Sequence, residues 1–212
     1  MTSHEGQPLL HAGPEPSRAR GVMILLHGRG AGASDIMGLV PQFPYPRLAF
    51  LAPQADQNSW YPYSFLVPIQ QNQPGLDSAM RVVSSLVLES ELQSIPKERI
   101  FLLGFSQGGC LALEFAARHP ARYGGVFGLS GGLFGPPGTT WEYDGSLQGA
   151  PVFIGCSDVD PHIPQSRVEE TADAMRRLGG DVDLQIYPGM GHTVSAAEIG
   201  AINAIIATSL GP

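Results

Sequence analysis

Short apolar runs bounded by glycine and proline alternate along this chain with longer stretches in which apolar residues recur every three or four positions. That alternation marks βαβ units and a mainly parallel sheet. Strands are predicted at 22–27, 47–52, 99–105, 124–129, 151–156 and 183–187. Several are almost wholly Val, Ile, Leu and Phe, as strands covered by helices on both faces require. Leu76, Met80, Val83, Val87 and Glu91 step at helical spacing, so an amphipathic helix is predicted over about 75–94, stopped by Pro96. A buried helix is predicted over 107–118 from Leu111, Ala112, Leu113, Phe115 and Ala116. Val168, Ala172, Met175 and Leu178 predict another, ended by Gly179-Gly180. Ser195-Ala-Ala-Glu198 reads as a capping box ahead of Ile199, Ile202 and Ile206.

The chain has 212 residues, within the span that one hydrophobic core commonly serves. Residues 1–20 are polar and carry Pro8, Pro14 and Pro16, so they are expected to form a flexible N-terminal segment ahead of a single α/β domain over 21–212. Two long stretches, about 53–74 and 131–150, show no periodicity; structureless loops of that length are uncommon and are often functional. No apolar run approaches the roughly 20 residues needed to cross a bilayer, and the N-terminus lacks the apolar core of a secretory signal. No stable membrane insertion and a cytoplasmic location are therefore expected. A formal charge of -7 without a basic block argues against nucleic acid and anionic membrane surfaces as partners. Cys110 and Cys156 lack zinc-site spacing and are expected to be buried free thiols.

The pattern Gly-x-Ser-x-Gly occurs twice, at Gly104-Phe-Ser106-Gln-Gly108 and at Gly128-Leu-Ser130-Gly-Gly132. Only the first lies between a predicted strand and a predicted helix, the context in which a nucleophilic serine sits on a sharp elbow with its hydroxyl exposed. Gly131-Gly132-Leu-Phe-Gly-Pro-Pro cannot start a helix. Ser106 is thus the candidate nucleophile, and Ser130 reads as a strand-end turn residue.

A serine hydroxyl is scarcely ionised at neutral pH and needs a base, with an acid to hold that base in the right tautomer. Of the six histidines, His4 and His11 fall in the N-terminal segment, His119 ends a helix, and His27 reads as a structural hydrogen-bonder. His192, in a tight loop after the last strand, is the candidate base. The acid is expected between nucleophile and base in chain order. Asp160, fixed by Pro161, is preferred to Asp158, whose other role would be a hydrogen bond to the loop backbone. His162 beside them reads as a loop-bracing residue rather than a metal ligand. The amides of Gln107 and Arg29 are the candidate oxyanion donors. Trp60, Tyr61, Tyr63, Phe65 and Leu66 in one loop, and Phe134, Trp141 and Tyr143 in the other, are candidates to line an apolar substrate pocket.

In this order, Leu26-His-Gly-Arg-Gly30, Leu51-Ala-Pro-Gln54, Ser59-Trp-Tyr-Pro62, Gly104-Phe-Ser-Gln-Gly-Gly109, Ser130-Gly-Gly132, Asp158-Val-Asp-Pro161 and Gly189-Met-Gly-His192 resemble the phospholipase/carboxylesterase family of α/β-hydrolases, which includes acyl-protein thioesterases. The resemblance covers about 21–210. It implies an α/β-hydrolase fold without a large lid domain, and a serine carboxylesterase using Ser106, Asp160 and His192 with Arg29 and Gln107 as oxyanion donors. Small-to-medium esters or thioesters would be cleaved through an acyl-enzyme, with lysophospholipase or acyl thioesterase activity as the alternative. No cofactor or metal is called for, and a homodimer is left open. Trp60-Tyr-Pro-Tyr63 and Asp160-Pro-His-Ile-Pro164 depart from the pattern of acyl-protein thioesterases, and the family is also similar to dienelactone hydrolases. Two rival classes remain. Gly28-Arg-Gly30-Ala-Gly-Ala33 formally fits a dinucleotide-binding turn, but no acidic residue ends the second strand at Ala52-Pro53 to hold a ribose. A non-catalytic binder on the same fold is the other.

Overall fold

The computed structural model describes residues 3–211. Seven strands form one sheet: β1 (Leu9–Ala12), β2 (Gly21–Leu26), β3 (Leu48–Pro53), β4 (Ile100–Phe105), β5 (Gly125–Leu129), β6 (Pro151–Ser157) and β7 (Asp181–Tyr187). Their order is β1-β3-β2-β4-β5-β6-β7. β1 runs antiparallel to β3, and every other pairing is parallel. The five α-helices are α1 (Ala33–Met37), α2 (Gly75–Leu92), α3 (Gln107–Arg118), α4 (Gln165–Arg177) and α5 (Ala196–Leu210). Among the described residues no helix is long and apolar enough to cross a membrane.

The continuous apolar strands are explained by two cores, one on each face. In β2, Val22, Ile24 and Leu26 point into a core shared with α2, α3 and α4, whereas Met23 and Leu25 point into one shared with α1 and α5. The same period of two divides Ile100 and Leu102 from Phe101 and Leu103 in β4. Helical spacing does the rest: Leu76, Ala79 and Val83 bury the inner stripe of α2, and Ile199, Ile202 and Ile206 that of α5. Ser195 caps α5 as its sequence predicts: its hydroxyl accepts from the Glu198 N–H, and the Glu198 carboxylate accepts from the Ser195 N–H. Cys110 and Cys156 are free and buried, and burial pushes each thiol up to about 12.

The segment before Gly21 departs from expectation by contributing β1, which pairs with β3 from Leu9↔Pro53 to Ala12↔Phe50. Periodicity misses it because Leu-Leu-His-Ala is an edge strand of four residues, held by backbone hydrogen bonds while Leu9 and Leu10 stay exposed. The same segment buries His4 against Trp60. The His4 N–H donates to the Ser78 hydroxyl on α2, which in turn donates to Glu5.

His4 and His27 are both locked as neutral rings. Nδ1 of His4 accepts from the Asp56 N–H while Nε2 donates to the Trp60 carbonyl. Nε2 of His27 accepts from the Ala55 N–H while Nδ1 donates to the Gly28 carbonyl. A protonated ring cannot accept, and burial holds both pKa values below the ordinary histidine value. In the unfolded chain such rings titrate near about 6.5, so acidification protonates that state first. The stability they contribute is whole above that value and lost as pH falls below it. Urea unfolding midpoints should therefore drop between pH 7.5 and 5.5, and His27→Gln should flatten that drop; an unchanged slope in the variant would contradict the assignment.

Candidate active site

The site forms where β4 turns abruptly into α3. Ser106 stands at the turn with φ 56° and ψ -117°, a conformation a side chain adopts only when its surroundings enforce it. Close backbone packing does so. A β-carbon on Gly104 would fall 2.0 Å from the Gly108 carbonyl oxygen, and one on Gly108 would fall 2.0 Å from that of Leu26. Glycine at both positions lets the elbow press onto β2. Ser130 also has positive φ, 46°, but it is fully buried and no helix follows it.

His192 and Asp160 reach Ser106 from the loops that follow β7 and β6. The Ser106 Oγ to His192 Nε2 distance is 2.9 Å, and His192 Nδ1 lies 2.7 Å from Asp160 Oδ2. The Asp160 side chain is fully buried. Burial alone would raise its pKa, but the hydrogen bond from His192 and the N–H groups of His162 and Ile163 on Oδ1 outweigh it and hold the carboxyl below its ordinary value. An ionised Asp160 only accepts, so Nδ1 of His192 carries the proton and Nε2 is left to accept from the serine hydroxyl. Asp158 accepts from the Gly189 N–H and Ser157 from the Gly191 N–H, so the β6 loop holds the histidine loop at two points. His162 packs edge-on against His192 with 4.8 Å between ring centres.

Arg29 and Gln107 line the cleft in front of Ser106, and neither backbone N–H has an acceptor among the described residues. Their side chains have a second role that no motif announces. The Arg29 guanidinium donates to the carbonyls of Tyr61, Pro62 and Tyr63 and to the Ser59 hydroxyl. Gln107 accepts from the Trp60 N–H and donates to the Tyr61 carbonyl. Together they fix the loop that walls one side of the cleft. A single polar residue in a glycine-rich turn gives no sequence signal for such a role.

The cleft encloses about 500 Å³. Of the aromatic residues proposed to line it, Tyr61, Tyr63 and Phe65 do so. Trp60 and Phe134 do not. Trp60 is fully buried behind the wall, donating its indole N–H to the His27 carbonyl. Phe134 packs under Tyr61, 4.7 Å between ring centres, and shares a separate surface hollow with Trp141 and Tyr143. Their bulk serves the core shared with α2, α3 and α4 rather than the cleft. The 131–150 loop is fixed much as the other is: Arg167, buried, donates to the carbonyls of Leu133, Gly135 and Pro136, and buried Glu114 accepts from the Phe134 N–H and the Tyr143 hydroxyl.

A mainly parallel sheet wrapped by helices, with a serine elbow and a cleft at the carboxyl ends of its strands, defines an α/β-hydrolase fold. The sequence profile described as phospholipase/carboxylesterase matches residues 13–210: the chain belongs to the phospholipase/carboxylesterase family. A solved phospholipase/carboxylesterase from Dyadobacter fermentans is 43% identical with a TM-score of 0.92, over 97% of this chain and 98% of that one. Acyl-protein thioesterase 1 of Eremothecium gossypii is 35% identical over 126 residues, 57% of this chain and 52% of that protein. Its counterpart in Kluyveromyces lactis is 29% identical over 204 residues, 85% of this chain and 88% of that protein. The match thus spans about half the length of the first of these relatives.

Two substitutions test the geometry without reference to any reaction. Gly108→Ala should unfold the elbow or cost more than about 3 kcal/mol in denaturant unfolding, since the methyl group meets backbone rather than a movable side chain. Arg29→Met, which keeps the backbone amide, should cost about 2–4 kcal/mol and raise protease cleavage within 59–63. Wild-type resistance in the latter variant would show that the guanidinium does not hold this loop.

Proposed function

We propose that the protein is a serine hydrolase that cleaves small-to-medium carboxylic esters or thioesters through an acyl-enzyme. The observation that carries this reading is the unbroken line of hydrogen bonds from Ser106 Oγ through His192 to buried, ionised Asp160. As Ser106 attacks the substrate carbonyl carbon, its proton passes to His192 Nε2, and Asp160 stabilises the imidazolium that forms. The carbonyl oxygen becomes an oxyanion and takes hydrogen bonds from the Arg29 and Gln107 amides, at the positive end of α3. When the intermediate collapses, the bond to the leaving oxygen or sulfur breaks and His192 returns the proton to that atom. Water, deprotonated by the same imidazole, then attacks the acyl-serine and releases the carboxylic acid.

The 500 Å³ cleft is of the size that small-molecule sites have, and Tyr61 and Phe65 give it an apolar wall. A thioester reading draws its support from the relatives called acyl-protein thioesterases. A panel of acetyl to decanoyl esters and thioesters of matched acyl chains decides between the two bonds.

Ser106→Ala should lower kcat/KM on a short p-nitrophenyl ester by at least about 10³-fold, and Asp160→Asn by about 10³- to 10⁴-fold through the wrong His192 tautomer. Full activity in Ser106→Ala would exclude this mechanism.

A further inference from the structure

Two hollows meet at His192. The aromatic cleft holds Ser106 and the Arg29 and Gln107 amides. A second groove of about 410 Å³ runs away from it along α1, walled by Ile36, Leu39, Phe105, Thr193 and Val194. Gly28, Ala31, Phe105 and His192 line both. We infer that the α1 groove receives the leaving group, as the alkyl part of a neutral alcohol or thiol, while the aromatic cleft receives the acyl part. The inference rests on the reaction proposed above and adds to it a division of the substrate.

The chemistry of the step fixes the direction. The carbonyl oxygen must face the two amides, which lie only in the aromatic cleft, and the acyl part stays beside them throughout the acyl-enzyme stage. The leaving atom must instead lie against His192 Nε2, which hands it a proton. A group attached to that atom extends past the imidazole, which also lines the α1 groove. That groove's walls are mostly aliphatic and aromatic, and Ile36 and Phe105 belong to the core on that face of the sheet, so its floor is fixed. Its one carboxylate, Asp35, accepts from the Gly32 N–H at the start of α1. The Arg29 guanidinium of the adjoining cleft is spent on the carbonyls of the 59–63 loop. The groove therefore suits an uncharged apolar group and disfavours an anionic one.

The test uses acetates of ethanol, butanol and hexanol, whose leaving oxygens are equally basic, so that only the bulk placed in the groove varies. For the wild-type chain, kcat/KM should rise about three- to fourfold for each methylene that becomes buried, and a terminal carboxylate on the alcohol should abolish the gain. Leu39→Trp just after α1 and Val194→Trp just before α5, both half-buried, should each lower the hexyl-to-ethyl ratio about tenfold. The variants also separate the two halves of the reaction, because every acetate gives the same acetyl-enzyme and the groove is empty during deacylation. A matching fall in the deacylation rate of that acetyl-enzyme would overturn the inference, since the groove would then hold the acyl part. Equal kcat/KM across the wild-type series would overturn it too, leaving the serine hydrolase reading intact. Failure to hydrolyse any of the three esters would overturn both.

Discussion

The site depends on a contact between backbones. At the end of β4 the chain must reverse into α3 tightly enough to leave Ser106 exposed, and this is achieved by bringing Gly108 against the Leu26 and His27 carbonyls of the neighbouring strand, with Gly104 against Gly108 itself. No side chain fits at either point, so the strained backbone of Ser106 has no lower-energy geometry to relax into while the sheet stays intact. The Ser106 N–H is held by the Leu129 carbonyl on β5. The elbow is thus clamped between β2 and β5, at the centre of the sheet.

Around that rigid centre the substrate-facing surface is made of segments with almost no regular structure, and polar side chains substitute for strand and helix pairing. Arg29 and Gln107 satisfy carbonyls and amides of the 59–63 loop, and Arg167 and Glu114 do the same for the stretch from Leu133 to Pro136. Unpaired backbone groups near a core are costly, so these side chains are what allows loops to lie against it. His4 extends the principle to the N-terminal segment, its ring joining the Asp56 amide to the Trp60 carbonyl, and His27 likewise joins the Ala55 amide to the Gly28 carbonyl. One charged or polar residue holding several carbonyls fixes a loop more tightly than apolar packing alone, which suits a wall that must stay open to substrate.

The fold was largely legible because both of its periodicities are strong. Val22 to Leu26 and Ile100 to Leu103 alternate between two cores, and the inner stripes of α2 and α5 follow the helical repeat. Ser106, Asp160 and His192 could be chosen as neighbours because each follows a parallel strand, and parallel strands bring the loops at their carboxyl ends to one edge of the sheet. What escaped the sequence had no periodicity to carry it. β1 is held by backbone pairing at an edge. Bulk and loop position point Trp60 and Phe134 to the cleft, yet bulk in a loop draws a residue toward the core as readily as toward a ligand. The side-chain roles of Arg29 and Arg167 depend on where carbonyls point, which only the folded chain decides.

The central claim is that the Ser106 hydroxyl is made nucleophilic by His192 held on Asp160, and covalent capture tests it most directly. The protein is treated with an alkyl fluorophosphonate at neutral pH and the modified peptide is located by mass spectrometry. The account predicts one adduct per chain, on Ser106, forming at least about 10³-fold more slowly in His192→Ala. An unreactive Ser106, or labelling that proceeds at the wild-type rate without the imidazole, would contradict it.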